Sequence, residues 1–573
     1  MTGDMVLRVR THAGEQTFRL APDAAGRTVA DVLRRAGVPL NTRCGERGLC
    51  QGCDVALIAG HLSSDAGPLQ DWADATRHLL QGCLHRLVAG TDVTIEIPAR
   101  SLLTHAPQVV TSFRLDVPWA SQPVWQRTAA DCAWSYRGED WTRDALVAVP
   151  ALGAAIDVGT TTVAVVIANI ETGEVLGQAS ALNAQARLGD NVLTRINLCM
   201  TGAEHVGHLQ RLLVEETLAP LLAEALASAG QGAGHLAAIA VAGNTTMLHL
   251  LAGVDPGPIG VAPFDAAFLE YRRLSASDIG LSAVSLPSMV GALRADLPLH
   301  LLPGAAAYVG ADVVAGTLTT GVAYRQAPCL LLDLGTNGEI VLQHEGRLWG
   351  CSTAAGPAFE GAGLVCGVRA GDGAVSHLWF DEDPRRMRTE VIGHGRPLGL
   401  CGTAYLDFVA RGRRAGVLSP TGRILVDPGR HDTWRDPFHG RVILVAEGAG
   451  RRPLFVSEAD VATILQAKAA IAAGITCLLR KAGLSAGDVA VLVAGGFGFH
   501  MHPDSLIGCG LLPGFEVDQI ALVGNSSLAG AYASLLDSSF LDELRRLATR
   551  IEIVELNLEP DFESIYIDEL VAP

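Results

Sequence analysis

The alternation of apolar and polar positions predicts a small, strand-rich unit at the start of the chain. Residues 5–10 and 16–20 alternate on either side of a Thr-His-Ala-Gly turn, which indicates a β-hairpin. Thr28 is placed to cap a helix whose apolar residues lie on one side. A loop rich in cysteine follows, and the alternation returns at 54–58 and 92–97 as two further strands. A hairpin, a helix, a loop and closing strands in this order are typical of a β-grasp fold.

The periodicity is lost between about residues 99 and 150. This stretch contains several prolines and four of the chain's eight tryptophans, Trp119, Trp125, Trp134 and Trp141. We interpret it as a linker and a small middle module, in which the tryptophans form a minor core or a docking face.

The remainder of the chain contains an internal repeat. The segments ALGAAIDVGTTT (151–162) and CLLLDLGTNGE (329–339) are each a buried apolar strand that ends in Asp-x-Gly-Thr and is turned back by a hairpin. The same unit in two places predicts two similar α/β halves, the second starting near residue 325.

Longer elements accompany the repeated hairpins. Helical periodicity runs over 205–228, with a kink or break expected at Pro220, and again over 459–479. A region rich in Arg, Pro and Gly, near 380–455, indicates hairpins inserted into the second half.

Composition narrows the class of protein. With 573 residues, 49% of them apolar and 18% charged, the chain suits roughly two to four packed domains. A net charge of −17 would repel a polyanion, which excludes a general nucleic-acid-binding protein. No apolar run reaches the roughly 18 residues of a membrane span, and the first residues lack an apolar signal segment. We therefore expect a cytoplasmic protein without membrane association.

Three cysteines lie within one short loop, in the spacing Cys44-x5-Cys50-x2-Cys53, and Cys83 follows at a distance. Glycines among them let the backbone approach an inorganic cluster closely. Four thiolates suit zinc or an iron–sulfur cluster, and three close ligands with one distant ligand favour [2Fe–2S]. A structural zinc site and buried cysteines without function are the alternatives.

Residues 1–98 resemble the plant-type and adrenodoxin-type [2Fe–2S] ferredoxins. The first gap in the cysteine spacing has five residues where plant ferredoxins have four, so the similarity is closer to the adrenodoxin type. The resemblance implies a β-grasp ferredoxin domain in which Cys44, Cys50, Cys53 and Cys83 hold the cluster.

The repeated hairpins indicate a phosphate site, whereas a P-loop is excluded because the sequence contains no GxxxxGK[ST] motif. A tight glycine turn offers backbone N–H groups and threonine hydroxyls to phosphate, and an aspartate at the strand end can hold Mg²⁺ through water. With one hairpin from each half, a nucleotide would lie in the cleft between them. A third segment, VLVAGGFG (491–498), has glycines that let adenosine approach the backbone. Ordinary hairpin turns are the alternative.

These three motifs resemble the phosphate-1, phosphate-2 and adenosine motifs of the actin, sugar-kinase and heat-shock chaperone ATPase superfamily. The resemblance covers about residues 151–573 and implies a duplicated actin-like ATPase domain that binds ATP and Mg²⁺. It implies catalytic roles for Asp157 and Asp333. Lys468 lies where the chaperones place a lysine near adenosine, and a solvated helix lysine is the alternative. The other implied nucleotide contacts are Gly159, Thr160, Thr161, Gly335, Thr336, Asn337, Gly495 and Gly496.

Four further segments distinguish the chain from sugar kinases and chaperones: AGNTTMLHLLAG (242–253), GPAFEGAGLVCGVRAGDGAV (356–375), LGLCGTAYLD (398–407) and GNSSLAGA (524–531). Together with the N-terminal domain they resemble the reductive activators of corrinoid proteins, over nearly the whole chain. Within them, Asn244 and Glu360 either orient a water on the γ-phosphate or cap loops.

The resemblance implies a multidomain α/β enzyme with domains at 1–98, 99–150 and 151–573. Such an enzyme uses ATP to pass one electron from its [2Fe–2S] cluster to a corrinoid protein, so that inactive Co(II) becomes Co(I) for methyl transfer. A low-potential electron donor and a homodimer are also implied.

Three other functions stay open on the sequence alone. A small-molecule kinase with an appended redox-sensing ferredoxin would need an acceptor pocket, which the sequence does not identify. Activators of radical dehydratases bridge a [4Fe–4S] cluster between subunits, which four cysteines in one N-terminal domain disfavour. A plain electron-transfer ferredoxin on a scaffold is disfavoured by Asp and Thr in both hairpins.

Overall fold

A computed structural model describes most of the chain. Within residues 1–150 it describes 5–11, 14–38, 40–42, 53–64, 67–70, 79–98, 101–102, 111–113, 125–127, 134–136 and 139–141. Beyond residue 150 it describes all positions except 190, 287, 381–386, 394, 426–431, 437–438, 450–452 and 497–500.

The start of the chain forms a mixed sheet, a second small antiparallel sheet and one helix. Its elements are β1 (Met5–Thr11), β2 (Gly14–Leu20), α1 (Val29–Arg35), β3 (Asp54–Ala59), β4 (His61–Ser64), β5 (Gly67–Gln70), β6 (Leu79–Gln81), β7 (Arg86–Leu87) and β8 (Val93–Glu96). The predicted hairpin is confirmed, since β1 pairs antiparallel with β2, and β1 also pairs in parallel with β8. Thr28 caps α1 by accepting a hydrogen bond from the N–H of Asp31 at 3.1 Å. The order of the mixed sheet is β2-β1-β8-β3-β6, and that of the second sheet is β5-β4-β7.

The middle stretch contributes a small antiparallel sheet made of β9 (Trp125–Arg127), β10 (Trp134–Tyr136) and β11 (Glu139–Trp141). Phe113 forms an isolated bridge with Gly524, which attaches this stretch to the end of a strand in the second half. The proposed core or docking role of the tryptophans stays a prediction, and Trp119 lies outside the described residues.

The first half of the remainder is an α/β unit. Its elements are β12 (Leu152–Val158), β13 (Thr162–Asn169), β14 (Val175–Leu182), α2 (Val192–Thr201), α3 (Glu204–Leu213), α4 (Ala219–Ser228), β15 (Leu236–Gly243), α5 (Thr245–Leu251), β16 (Arg272–Ser275), β17 (Pro298–Leu301) and α6 (Ala311–Thr319). Among the described residues its sheet has six strands in the order β14-β13-β12-β15-β17-β16.

The second half repeats this plan with insertions. Its elements are β18 (Cys329–Leu334), β19 (Gly338–His344), β20 (Arg347–Thr353), β21 (Ala374–Phe380), β22 (Met387–Val391), β23 (Gly399–Leu400), α7 (Gly402–Arg414), β24 (Thr433–Asp436), β25 (Gly440–Glu447), β26 (Pro453–Ser457), α8 (Glu458–Ala482), β27 (Ala490–Ala494), α9 (Pro503–Gly508), β28 (Ile520–Gly524), α10 (Ser526–Leu536), α11 (Ser538–Ala548), β29 (Ile551–Ile553) and α12 (Phe562–Asp568). The order of the main sheet is β28-β27-β18-β19-β20-β29.

The two main sheets confirm the predicted duplication. In each, the strand that ends in Asp-x-Gly-Thr pairs antiparallel with the next strand and in parallel with a later strand, β15 or β27. The inserted hairpins are also present, as the sheets β22-β21-β23 and β24-β25-β26. Because equivalent strands carry Asp157 and Asp333 at their carboxyl ends, the fold turns both acidic positions toward the junction of the halves.

Two long helical patterns behave as predicted. The first contains a π-helical turn, Val214–Leu218, directly before the segment with Pro220, so the expected interruption is one wide turn. The second is α8, which, in the part of the chain that is described, is long and apolar enough to cross a membrane. Its most apolar window is 78% buried inside the protein, and we assign α8 as a core helix.

Candidate functional site

Two threonines, one from each repeated hairpin, meet on a single buried carboxylate. Thr161 Oγ1 and Thr336 Oγ1 lie 3.1 Å apart, and they donate to Glu360 Oε1 at 3.1 and 2.6 Å. Glu360 is 1% exposed and ends the short turn Pro357–Glu360. The hairpins that the sequence predicted to face each other are therefore in contact.

An arginine balances the charge of this carboxylate. Arg369 Nε lies 3.6 Å from Glu360 Oε2, and both side chains are nearly buried. Because the ion pair is shielded from water, it is screened less than a surface pair and helps to fix the position of Glu360.

Asp157 is held in place from the other half of the molecule. Its carboxylate oxygens accept hydrogen bonds from Asn525 Nδ2 at 2.9 Å and from Ser527 Oγ at 2.7 Å. Burial raises the pKa of Asp157, and these two donors oppose the shift because they stabilise the ionised form. The first strand-end aspartate is thus oriented by the start of α10.

Two asparagines each cap a helix and also donate a hydrogen bond to a residue of the site. Asn244 caps α5 by accepting from Met247 N at 3.0 Å, and its amide donates to Thr160 Oγ1 at 2.9 Å. Asn525 caps α10 in the same way, accepting from Leu528 N at 2.8 Å while its amide holds Asp157. Each asparagine therefore fixes the first hairpin to a helix N-terminus.

Asp333 belongs to a group of partly buried acids that lie near the strand ends and at the start of α6. Burial and the negative charges of Asp312 and Asp157 raise the pKa of Asp333 to about 8. Burial, with repulsion from Asp157, raises the pKa of Asp312 to about 7. Burial, together with Asp312 and Asp333, also raises the pKa of Glu339. Clustered carboxylates are the oxygen ligands that divalent cations bind.

Close backbone packing explains two of the predicted glycines. Gly495 has φ +97°, and a Cβ there would collide with the Leu334 carbonyl and come within 2.7 Å of Asp333 Oδ1. At Gly159 a Cβ would lie 2.6 Å from the Thr162 carbonyl oxygen. Gly335 has more room, since the nearest atom to a Cβ there is 3.8 Å away, and a Cβ on Gly496 would meet nothing within 4 Å.

Asn337 lies at the tip of the second hairpin. Its carbonyl accepts a hydrogen bond from Gly335 N at 3.0 Å, which closes the turn. Its side chain forms a hydrogen bond with Glu339 and so opposes the rise in the pKa of that carboxyl group.

Lys468 is directed into the protein, which contradicts one of the two alternatives given for it. The side chain is fully buried, so a solvated helix lysine is wrong. Its ammonium donates to the carbonyls of Gly510 and Val571 at 3.3 and 2.8 Å and lies 3.4 Å from Glu569. Since these groups occupy its hydrogen-bonding positions, we do not include Lys468 in the proposed nucleotide site.

Two of the four predicted cluster cysteines are described. Cys53 and Cys83 are both buried, and β3 pairs with β6 so that Asp54 faces Gln81. The N–H of Gly82 donates to the Cys53 carbonyl at 2.9 Å, which keeps the two cysteines at neighbouring strand ends. Cys44 and Cys50 lie outside the described residues.

Several site residues were not found from the sequence. Arg195 is fully buried and binds the Thr160 carbonyl, Gln185 Oε1 at 2.8 Å and the Gly189 carbonyl at 2.9 Å. A lone arginine in an amphipathic helix gives no signal of this role. Glu339 could have been noticed, because it follows the second glycine turn directly. Asp312 was also missed, and Asn525 and Ser527 lie in the segment GNSSLAGA (524–531), to whose residues the sequence assigned no individual role.

Comparison with known proteins identifies related chains. Family models described as "RACo middle region" and "C-terminal domain of RACo the ASKHA domain" match residues 152–325 and 327–573. "Corrinoid activation enzyme RamQ" of Eubacterium limosum is 29% identical over 430 residues, which cover 73% of this chain and 70% of the relative. "[Co(II) methylated amine-specific corrinoid protein] reductase" of Methanosarcina barkeri is 23% identical over 449 residues, 73% of this chain and 76% of that protein.

A solved structure matches almost the full length. It is titled "Reductive activator for corrinoid,iron-sulfur protein", is 25% identical, and aligns with a TM-score of 0.71 over 99% of this chain and 98% of its own. The two matched family regions adjoin each other and contain both Asp-x-Gly-Thr hairpins and Glu360. The chain belongs to the RACo family of reductive activators of corrinoid proteins.

Proposed function

We propose that the chain is an ATP-dependent reductive activator of a corrinoid protein. It passes one electron from a [2Fe–2S] cluster to the corrinoid cobalt, so that inactive Co(II) becomes Co(I). The observation that carries the proposal is the meeting of both Asp-x-Gly-Thr hairpins on Glu360, in a chain whose relatives include a corrinoid protein reductase.

The described cysteines fit an iron–sulfur cluster. Cys53 and Cys83 stand at neighbouring strand ends and are buried in the N-terminal core, and thiolates are the ligands that such clusters bind. We propose a ferredoxin-like β-grasp domain for this part of the chain, which the mixed sheet and the helix α1 support. In the proposal, Cys44 and Cys50 complete the ligand set.

The cleft residues fit a nucleotide with Mg²⁺. The charge of Asp157 disfavours ionisation of Asp312 and Asp333, and the charges of Asp312 and Asp333 disfavour that of Glu339. A divalent cation would stabilise the charged forms. The hydroxyls of Thr161 and Thr336 are donors suited to phosphate oxygens. We assign Asp157 and Asp333 to the cation, and the glycine turns with their threonines to the phosphates.

An electron carrier of this kind needs a supply of free energy. Co(I) is a strong reductant, so making it is unfavourable even for a cluster near about −400 mV. Each deficit of about 59 mV in a one-electron step costs about 1.4 kcal/mol. A deficit of roughly 100–200 mV is then a few kcal/mol, which lies within the range of coupling free energies between protein sites.

In this proposal, Thr161, Thr336 and Glu360 couple the nucleotide to the contact between the two halves. When bound, the cluster supplies a one-electron reductant and MgATP supplies the free energy of hydrolysis. The hydroxyls of Thr161 and Thr336 donate to Glu360, and they would donate to phosphate oxygens instead if a nucleotide were bound. Glu360 would then keep its ion pair with Arg369 and lose its hydrogen bonds to both threonines. The contact between the two halves would therefore depend on whether a nucleotide is bound.

The curated relatives give no support to the alternative of a small-molecule kinase with a redox-sensing ferredoxin domain. Both of their printed functions concern corrinoid proteins. We further propose that the protein is cytoplasmic and takes its electron from a low-potential donor. We also propose that it acts as a homodimer, and light scattering of the purified chain would test that oligomeric state.

The rate of ATP hydrolysis tests the proposal. We expect faster hydrolysis with a corrinoid protein held as Co(II) than with the same protein methylated or with none. Equal rates in all three cases would show that hydrolysis is not coupled to the oxidised partner. EPR of the reduced chain, with iron and sulfide counts, tests the cluster separately.

A further inference from the structure

Three potential metal ligands meet in the second half of the molecule, among residues that the proposed electron transfer and ATP hydrolysis do not use. His377 of β21, Asp407 of α7 and His502, which precedes α9, each place one ligand atom within 4.8 Å of the other two. They come from three separate elements, so only the tertiary fold brings them together.

Asp407 presents its two oxygens to different neighbours. Oδ1 accepts from Ser505 Oγ at 2.5 Å and lies 3.6 Å from the guanidinium of Arg411. Oδ2 lies 2.9 Å from His377 Nδ1 and accepts a longer bond, 3.3 Å, from Leu378 N. Arg411 is held on its side of the carboxylate because it also donates to the Leu378 carbonyl at 2.6 Å. Oδ2, the oxygen that faces the imidazole, is therefore the one that a cation would bind, in exchange for its hydrogen bond with His377 Nδ1.

His502 supplies an independent indication of a ligand. Its Nε2 is buried and has no hydrogen-bond partner among the described residues. Its ring lies against that of His377, with 4.1 Å between the ring centres. A buried nitrogen without a partner is unfavourable, and a cation between the rings and the carboxylate would satisfy it.

We propose that His377, Asp407 and His502 bind one divalent transition-metal ion, with Zn²⁺ as the representative case. Two imidazoles and a carboxylate are ligands that such ions take at about 2.0–2.2 Å. Tetrahedral ligands at those lengths lie about 3.3 Å apart, so the His377–Asp407 pair is already close and a rotation of the His502 side chain completes the site. The bound ion fastens the start of α9 to β21 and α7. This inference does not depend on the proposed reductase activity.

Metal analysis of the cluster-loaded full chain tests the site. After dialysis against Zn²⁺ with excess Mg²⁺, we expect about one tightly bound zinc per chain by mass spectrometry. His502→Ala and His377→Ala should lose it. A matched control is His439→Ala, because His439 forms a similar pair with Asp436, at 2.8 Å, on another sheet. Wild-type protein that binds no zinc, or equal zinc in wild type and His502→Ala, would overturn the proposal.

Two further measurements distinguish this site from zinc bound by the cysteines and from a variant that fails to fold. Zinc-edge X-ray absorption should show nitrogen and oxygen ligands only, and sulfur in the shell would assign the ion to the cysteine loop instead and overturn the site. Zinc should raise the unfolding temperature of wild type by several degrees and leave that of His502→Gln unchanged. Equal stabilisation of both would contradict the ligand role of His502.

Discussion

The hydroxyl oxygens of Thr161 and Thr336 lie 3.1 Å apart, and both donate to one oxygen of Glu360. One threonine comes from each half of the molecule, so this contact joins the halves directly. A hydroxyl has a single proton, and each threonine must release Glu360 before it can donate to a phosphate. Glu360 and a nucleotide therefore compete for the same two donors.

Thr161→Val and Thr336→Val should each weaken ATP binding by about 10- to 100-fold, the usual effect of losing a hydrogen bond to a charged group. Valine keeps the shape of threonine and removes only the hydroxyl. Isothermal titration with a non-hydrolysable ATP analogue measures the change. Thr317→Val is the matched control, because Thr317 is equally buried but donates to the Val313 carbonyl within α6. The same loss in Thr317→Val would show that the effect is not specific to the hairpins.

Asp157→Asn should lower ATP hydrolysis on the order of 100-fold and increase the Mg²⁺ concentration needed for half-maximal rate. The amide retains the size of the carboxylate and removes its charge, so cation binding is weakened while the fold persists. Initial rates at saturating ATP and varied Mg²⁺ provide the test. Asp518→Asn, an exposed position, should behave as wild type. An unchanged Mg²⁺ requirement in Asp157→Asn would contradict the assignment of Asp157 to the cation.

Stability without Mg²⁺ should fall as pH rises from about 5 to about 8. The folded-state pKa is raised to about 8 for Asp333 and about 7 for Asp312, from an ordinary value of 3.8. Between these values the folded chain binds more protons than the unfolded chain, so raising the pH favours unfolding. Thermal unfolding at several pH values measures the slope, which should be shallower in Asp312→Asn and with saturating Mg²⁺. A stability that rises with pH over this interval would contradict the raised pKa values of these acids in the folded chain without Mg²⁺.

Cys53→Ser and Cys83→Ser should each reduce cluster iron and remove the [2Fe–2S] EPR signal, while ATP binding stays within about twofold of wild type. The nucleotide residues belong to the two α/β halves and do not depend on the cluster thiols. Iron analysis and nucleotide titration on the same preparation separate the two effects. Cys199→Ser, at a buried cysteine in the core of the first half, is the control and should keep its full iron content.

Local patterns predicted much of the fold. The β1–β2 hairpin, the Thr28 cap and both Asp-x-Gly-Thr strands depend on residues close in sequence, whose periodicity or hydrogen bonding shows directly. The repeat of one strand–turn–strand unit was sufficient to predict two halves. The positions of Asp157 and Asp333 in the two sheets could also be predicted, because both aspartates lie at the carboxyl ends of equivalent strands.

The polar partners of the site could not be predicted in the same way. Asn525 reaches Asp157 from far along the chain, and nothing near either residue specifies that contact. Lys468 shows the same limit, since an apolar helix with one lysine gives no sign that the carbonyls of Gly510 and Val571 will surround its ammonium. Tertiary contacts, rather than propensity, decide where these side chains are directed.

The visible spectrum of a Co(II) corrinoid protein, mixed anaerobically with this protein, a reductant and MgATP, tests the central claim most directly. The Co(II) band should disappear and a Co(I) band should grow at a rate that depends on ATP. Omission of ATP, or replacement of wild type by Cys53→Ser, should abolish the change. A Co(II) band that persists with wild type and MgATP, or Co(I) that forms equally well without nucleotide, would contradict ATP-dependent electron transfer by this chain.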